Sequence, residues 1–140
     1  MHIPGPAFEM TVPAVPSAVA TARRALAGRH LVESAQEPTL MLLVSELVTN
    51  SVRHAGTTRD DPIRVRARTA DACAHVEVCD AGRSGKTPRR RRDGEVPALE
   101  PGGLGLKLVE EMSDRWGVTH HGERTCVWFE LACGVPPAPV

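Results

Sequence analysis

The sequence predicts one α+β domain from three observations. Segments 63–70 and 73–80 each alternate apolar and polar residues strictly, as half-buried strands do. The stretch EPTLMLLVSELVTNSVRHAG from Glu37 to Gly56 repeats its apolar residues at helical spacing. A length of 140 residues suits a single core. The expected domain covers 7–132, between a short tail at 1–6 and a Pro-rich tail at 133–140.

The first element is a strand over AFEMTV (7–12), stopped by Pro13 and Pro16. Ser17 is placed to cap a helix over 17–30. The long helix follows, with Pro38 in its first turn, Gly56 as its stop, and Leu40, Val44, Leu47, Ser51 and Ala55 on one face. Asp60, Asp61 and Pro62 mark a turn. Next come IRVRARTA, with Arg64, Arg66 and Arg68 on one face, and CAHVEVCD, with Ala74, Val76 and Val78 opposite Cys73, His75, Glu77 and Cys79. Together they predict an antiparallel hairpin turning at 70–72.

Residues 81–103 carry five Gly, three Pro and the run Arg89 to Arg92 without periodicity, and read as a long loop. Leu104, Leu108, Val109 and Met112 predict a helix reaching about Asp114, and strands at 116–121 and 125–131 close the domain.

Composition narrows the function. Hydrophobic residues make up 41% and charged residues 24%, as in ordinary globular chains. Seventeen basic residues balance seventeen acidic ones, and only Phe8, Trp116, Trp128 and Phe129 are aromatic. Neither a nucleic-acid footprint nor a stacking platform is predicted. No signal peptide and no apolar run of membrane-spanning length occurs, so a cytoplasmic protein away from the membrane is expected. Cys73, Cys79, Cys126 and Cys133 form no CxxC pair and have no His at zinc-ligand spacing, so they read as reduced core residues.

Three groups of residues could carry chemistry. Glu46, Asn50 and Arg53 stand at i, i+4 and i+7 of the long helix, within an arc of about 60°. A carboxylate one turn from a carboxamide can take a proton beside a hard cation that the amide oxygen ligates. An ordinary solvated helix face is the plain alternative. Asp80 ends a strand and is followed by Gly82. Such a carboxylate can accept a hydrogen bond from the exocyclic amine of a purine, with the glycine admitting the ring. A turn Asp before a turn Gly explains the same residues. Gly102, Gly103 and Gly105 open a helix, where backbone N–H groups can meet phosphate. They also suit a hinge.

In order and separation, ELVTNSVRHAG, VCDAG, a long loop, GGLGLKLVEEMSDRWG and TCVWFEL resemble the histidine-kinase-like (GHKL) ATPase family, which includes gyrase-type and heat-shock-chaperone ATPase domains. The resemblance spans about 7–132, and the DRWG and VWFEL segments are most similar to stand-alone anti-sigma factor serine/threonine kinases of actinobacteria. It implies a two-layer α/β sandwich of the Bergerat type, with a mixed, mostly antiparallel sheet covered by helices on one face.

ATP and Mg²⁺ are implied as cofactors, under a lid at about 82–102. By motif position, Glu46 is the implied general base and Asn50 the Mg²⁺ ligand. Asp80 would bind the adenine amino group with Gly82 beneath the ring, supported by Thr125. Arg53 and His54 would approach phosphate, as would Gly103, Leu104, Gly105 and Leu106 at the lid and helix start. Gly85 stands one residue later than the family's second glycine, so no role is carried to it.

The implied partners are an anti-anti-sigma protein of the STAS type and a sigma factor, with homodimerisation as a family trait. A non-catalytic, ATP-dependent protein-binding regulator and a weak ATPase are the alternatives. No phosphoacceptor-His helix precedes the domain, so a sensor kinase is not expected. The lid holds Arg83, Lys86 and Arg89 to Arg92 without an acid in 83–92, which leaves eleven basic against seventeen acidic residues elsewhere. A cationic loop on an acidic body is suited to a triphosphate or an acidic surface, and a plain solvated loop explains the same run.

Overall fold

Strands form where the alternation lies in a computed structural model, which describes residues 7–54, 62–71, 73–80, 103–122 and 124–131. They are β1 (Ala7–Val12), β2 (Ile63–Ala70), β3 (Cys73–Asp80), β4 (Arg115–His121) and β5 (Arg124–Leu131). The sheet order is β1-β2-β3-β5-β4, and every pairing is antiparallel. The hairpin turns through Asp71 at φ 54°, a left-handed conformation that Asp tolerates better than most residues.

Three helices join the strands: α1 (Ala18–Leu26), α2 (Glu37–His54) and α3 (Gly103–Met112). Helix α1 is shorter than the expected 17–30. Ser17 makes no side-chain cap; its carbonyl instead accepts a hydrogen bond from the Thr21 hydroxyl at 3.1 Å. The helix stops at Ala27, whose extended ψ of 137° precedes Gly28 at φ 81°. Beyond it, Arg29 lies over the Phe8 ring at 3.8 Å, tying the end of α1 to β1 by a cation–π contact. Helix α3 also ends earlier than expected, at Met112, where the Ser113 hydroxyl bonds the Val109 carbonyl.

The alternation decides which sheet face is buried. Ile63, Val65 and Ala67 of β2, Ala74, Val76 and Val78 of β3, and Phe129 and Leu131 of β5 form one cluster with Ala22 and Leu26 of α1, Leu40, Leu43, Val44, Leu47 and Val48 of α2, and Val109 of α3. Burying each Leu or Val side chain contributes roughly 1.5–3 kcal/mol. The apolar stripe of α2 is wider than the sequence spacing implied, because Leu43 and Val48 join it.

The other face is polar. Glu9 pairs with Arg64 and Arg66, Arg66 with Glu77, and Glu130 with both His75 and Arg115. Trp128 stacks on His75 with ring centroids 5.3 Å apart.

The expectation for the cysteines fails. Cys79 and Cys126, directly opposite each other on β3 and β5 with Cα atoms 4.0 Å apart, form a disulfide. Cys73 is disulfide-bonded as well. The cysteines are therefore not reduced core residues. Spacing along the chain gave no sign of this, since the two sulfurs are joined by strand pairing across 47 residues.

Candidate functional site

Two neighbouring strands present the most enclosed polar pair. Asp80 ends β3 and Thr125 lies near the start of β5; they are register partners, 9% and 2% exposed. Alternation turns both toward the helical face, with Val78 and Val127 next to them on that face. A carboxylate at a strand end is an acceptor with several lone pairs and can take a hydrogen bond from a polar ligand edge that reaches it. Thr125 Oγ1 also lies 3.4 Å from His120 Nδ1 on β4.

Helix α2 supplies the second group. Glu46 and Asn50 are half-buried at the border of its apolar stripe, one turn apart, and Arg53 is exposed a further turn along. Asn50 Nδ2 is buried and has no hydrogen-bond partner among the described residues. Half a turn of the amide exchanges Nδ2 for Oδ1, so this position can offer an oxygen to a hard cation. An unsatisfied amide beside a carboxylate fits a divalent cation and its bound phosphates better than it fits a dry core.

The remaining expected residues divide into two sets. His54 ends α2 and Gly103, Leu104 and Gly105 open α3, but only their backbone is described. Leu106 is half-buried and packs against the core, which gives it a structural role alongside any contact to a ligand. Gly82, the lid at 82–102 and its arginine run, and Gly56 lie outside the described residues.

The residues matching the histidine kinase-like ATPase domain run from 8 to 131, nearly the whole described fold. The chain belongs to this family. It is 32% identical over 125 residues to the serine-protein kinase RsbW of Bacillus subtilis (strain 168), covering 81% of this chain and 78% of that protein.

Solved structures agree on the fold. The RsbU and RsbW domains of Rv1364c from Mycobacterium tuberculosis match at a TM-score of 0.63 and 17% identity, over 90% of this chain and 32% of theirs. The present chain therefore spans about a third of that larger structure. The histidine kinase domain of the blue-light activated kinase EL346 from Erythrobacter litoralis matches at a TM-score of 0.53 and 22% identity, over 86% of this chain and 61% of that one.

Family membership gives the geometry a common frame. Glu46 and Asn50 lie on α2, and Asp80 and Thr125 lie on the sheet face that the helices cover. Among the described residues, no helix is long and apolar enough to cross a membrane. Sequence reasoning missed the paired Cys79 and Cys126, one residue from Asp80 and Thr125 respectively. Only the strand register reveals them.

Proposed function

We propose that this chain is an ATP- and Mg²⁺-binding anti-sigma regulator that phosphorylates a Ser or Thr of an anti-anti-sigma partner of the STAS type and holds a sigma factor when that partner is unavailable. The buried Asp80–Thr125 pair carries the nucleotide reading, and the 32% identity to a serine-protein kinase supports protein phosphorylation as its use. The setting is cytoplasmic, the regulated process is transcription, and the working unit is a homodimer.

The chain's own residues divide the work. Asp80 accepts a hydrogen bond from the adenine amino group, and Thr125 holds that carboxylate in place. Asn50 offers its amide oxygen to Mg²⁺. When bound, the ion neutralises phosphate charge and orients the triphosphate. Glu46 takes the proton of the partner's hydroxyl as that oxygen forms a bond to the γ-phosphorus and the bond to the ADP oxygen breaks. Arg53, His54 and the backbone of Gly103 to Leu106 stand at the phosphate end.

Retention of both Glu46 and Asn50 favours a kinase over a non-catalytic binder, because ordering a lid around ATP needs no base. Labelled ATP with a cognate STAS-type protein tests the proposal. Label in the partner is the expected result. ATP binding without transfer would identify a non-catalytic regulator, and phosphate release without a partner would identify an ATPase. Light scattering tests the dimer, which should weigh about twice the 15.0 kDa chain.

A further inference from the structure

We propose that the polar face of the sheet, opposite the nucleotide site, carries a thiol-gated zinc site made of Glu77, Cys79, Cys126 and His121. The cysteine pair is a disulfide when the site is closed and a pair of metal-binding thiolates when it is open.

The strand register places all four on one face. Cys79 and Glu77 are two residues apart on β3, Cys126 is opposite Cys79 on β5, and Thr119, two residues before His121 on β4, is opposite Cys126. Glu77 and His121 reach over Cys126 from opposite diagonals. Their ligand atoms and Cys126 Sγ all lie within 4.8 Å of one another. Cys79 Sγ is bonded to Cys126 Sγ and completes the set. Two thiolates, an imidazole and a carboxylate are ligands that tetrahedral Zn²⁺ accepts.

Two further observations favour a metal over a bare pair of thiols. Both cysteines are buried, at 3% and 2% exposure, so thiolates there need a cation close by. Arg64, Arg66 and Arg68 of the adjoining β2 share this face; Arg64 is 3.5 Å from Glu9, and Arg66 is 3.3 Å from Glu9 and 3.6 Å from Glu77. The Thr119 hydroxyl, opposite Cys126, is also buried with no hydrogen-bond partner among the described residues. A disulfide sulfur is a poor acceptor, whereas a zinc-bound thiolate accepts a hydrogen bond from such a hydroxyl and is steadied by it. Exposed His121 gives the metal a way in.

Opening requires a dithiol reductant. Its thiolate attacks one sulfur, the Cys79–Cys126 bond breaks, and two electrons and two protons pass to the pair as the reductant becomes a disulfide. Zn²⁺ then displaces the two thiol protons as it binds.

Anaerobic titration of Co²⁺ and then Zn²⁺ into the full chain tests this. The thiol-reduced protein is expected to bind one Co²⁺ with a thiolate-to-metal charge-transfer band and tetrahedral d–d bands, which Zn²⁺ abolishes at one equivalent. The oxidised protein is expected to bind neither. His121→Ala and Glu77→Gln should each weaken zinc binding about tenfold or more, and Cys126→Ser should remove most of the charge-transfer band. The double variant Cys73→Ser/Cys133→Ser should bind like the unaltered chain, which separates this site from the other cysteines. Reduced wild-type protein serves as the folding control for Cys126→Ser. The proposal is overturned if the reduced protein binds no metal, if binding is unchanged in His121→Ala and Cys126→Ser, or if reduction alone unfolds the chain by circular dichroism.

Discussion

Asp80 and Thr125 face one another across β3 and β5, and both are buried. The adjacent pair on the same strands, Cys79 and Cys126, points the opposite way and is covalently joined. Two consecutive rungs of one ladder therefore do different jobs on the two faces of the sheet. Asp80→Asn keeps the shape and removes the charge. A hydrogen bond to a charged group contributes about 1.5–3 kcal/mol, so ATP affinity should fall roughly tenfold to a hundredfold by calorimetry. Thr125→Val should cost less, about 0.5–1.5 kcal/mol.

Glu46 is expected to separate binding from chemistry. Glu46→Gln should bind ATP within about threefold of the unaltered chain while phosphoryl transfer to the partner falls about a hundredfold to ten-thousandfold. Transfer at the normal rate would remove Glu46 from its role as base.

Gly117 stands opposite Trp128, and a Cβ added there would lie 2.8 Å from Trp128 Cζ2. Gly117→Ala must push the indole off its position and out of its stack on His75. Overpacking of this kind costs roughly 1–3 kcal/mol, which thermal unfolding should record as a lower Tm with no change in ATP affinity.

The Cys79–Cys126 bond closes a loop across 47 residues. Chain entropy assigns such a link about 4 kcal/mol. The double variant Cys79→Ala/Cys126→Ala should accordingly unfold at a lower urea concentration than the oxidised chain, with a larger m-value because the unlinked denatured chain exposes more surface. An unchanged midpoint would mean that the strand ends are held by packing alone.

Local patterns made most of the fold legible. The alternation in IRVRARTA and CAHVEVCD gave both strands and the buried face, because a period of two leaves one choice of side. Leu40, Val44 and Leu47 likewise gave the packed face of α2. Helix α1 was less legible, since its stop depends on the backbone at Ala27 and Gly28 more than on an apolar pattern.

At the site, Glu46 and Asn50 were readable because they sit one turn apart on one helix. The link from Asp80 to Thr125 was readable only through family resemblance, and the structure adds that the two are register partners. The cysteine pairing and the neighbourhood of Glu77 and His121 were not readable, because β3 meets the β4–β5 hairpin there across more than forty residues of chain.

The stack of Trp128 on His75 also gives the protein an optical signature. The chain has two Trp and no Tyr, and of the two indoles Trp116 packs against the core while Trp128 lies on the polar face with Cys126 two residues away. Excitation of this chain therefore reaches only two emitters, one on each face of the sheet. A Trp116→Phe variant would leave a single lamp on the sheet's polar side, so that breaking the sulfur bridge can be followed in real time without attaching a dye.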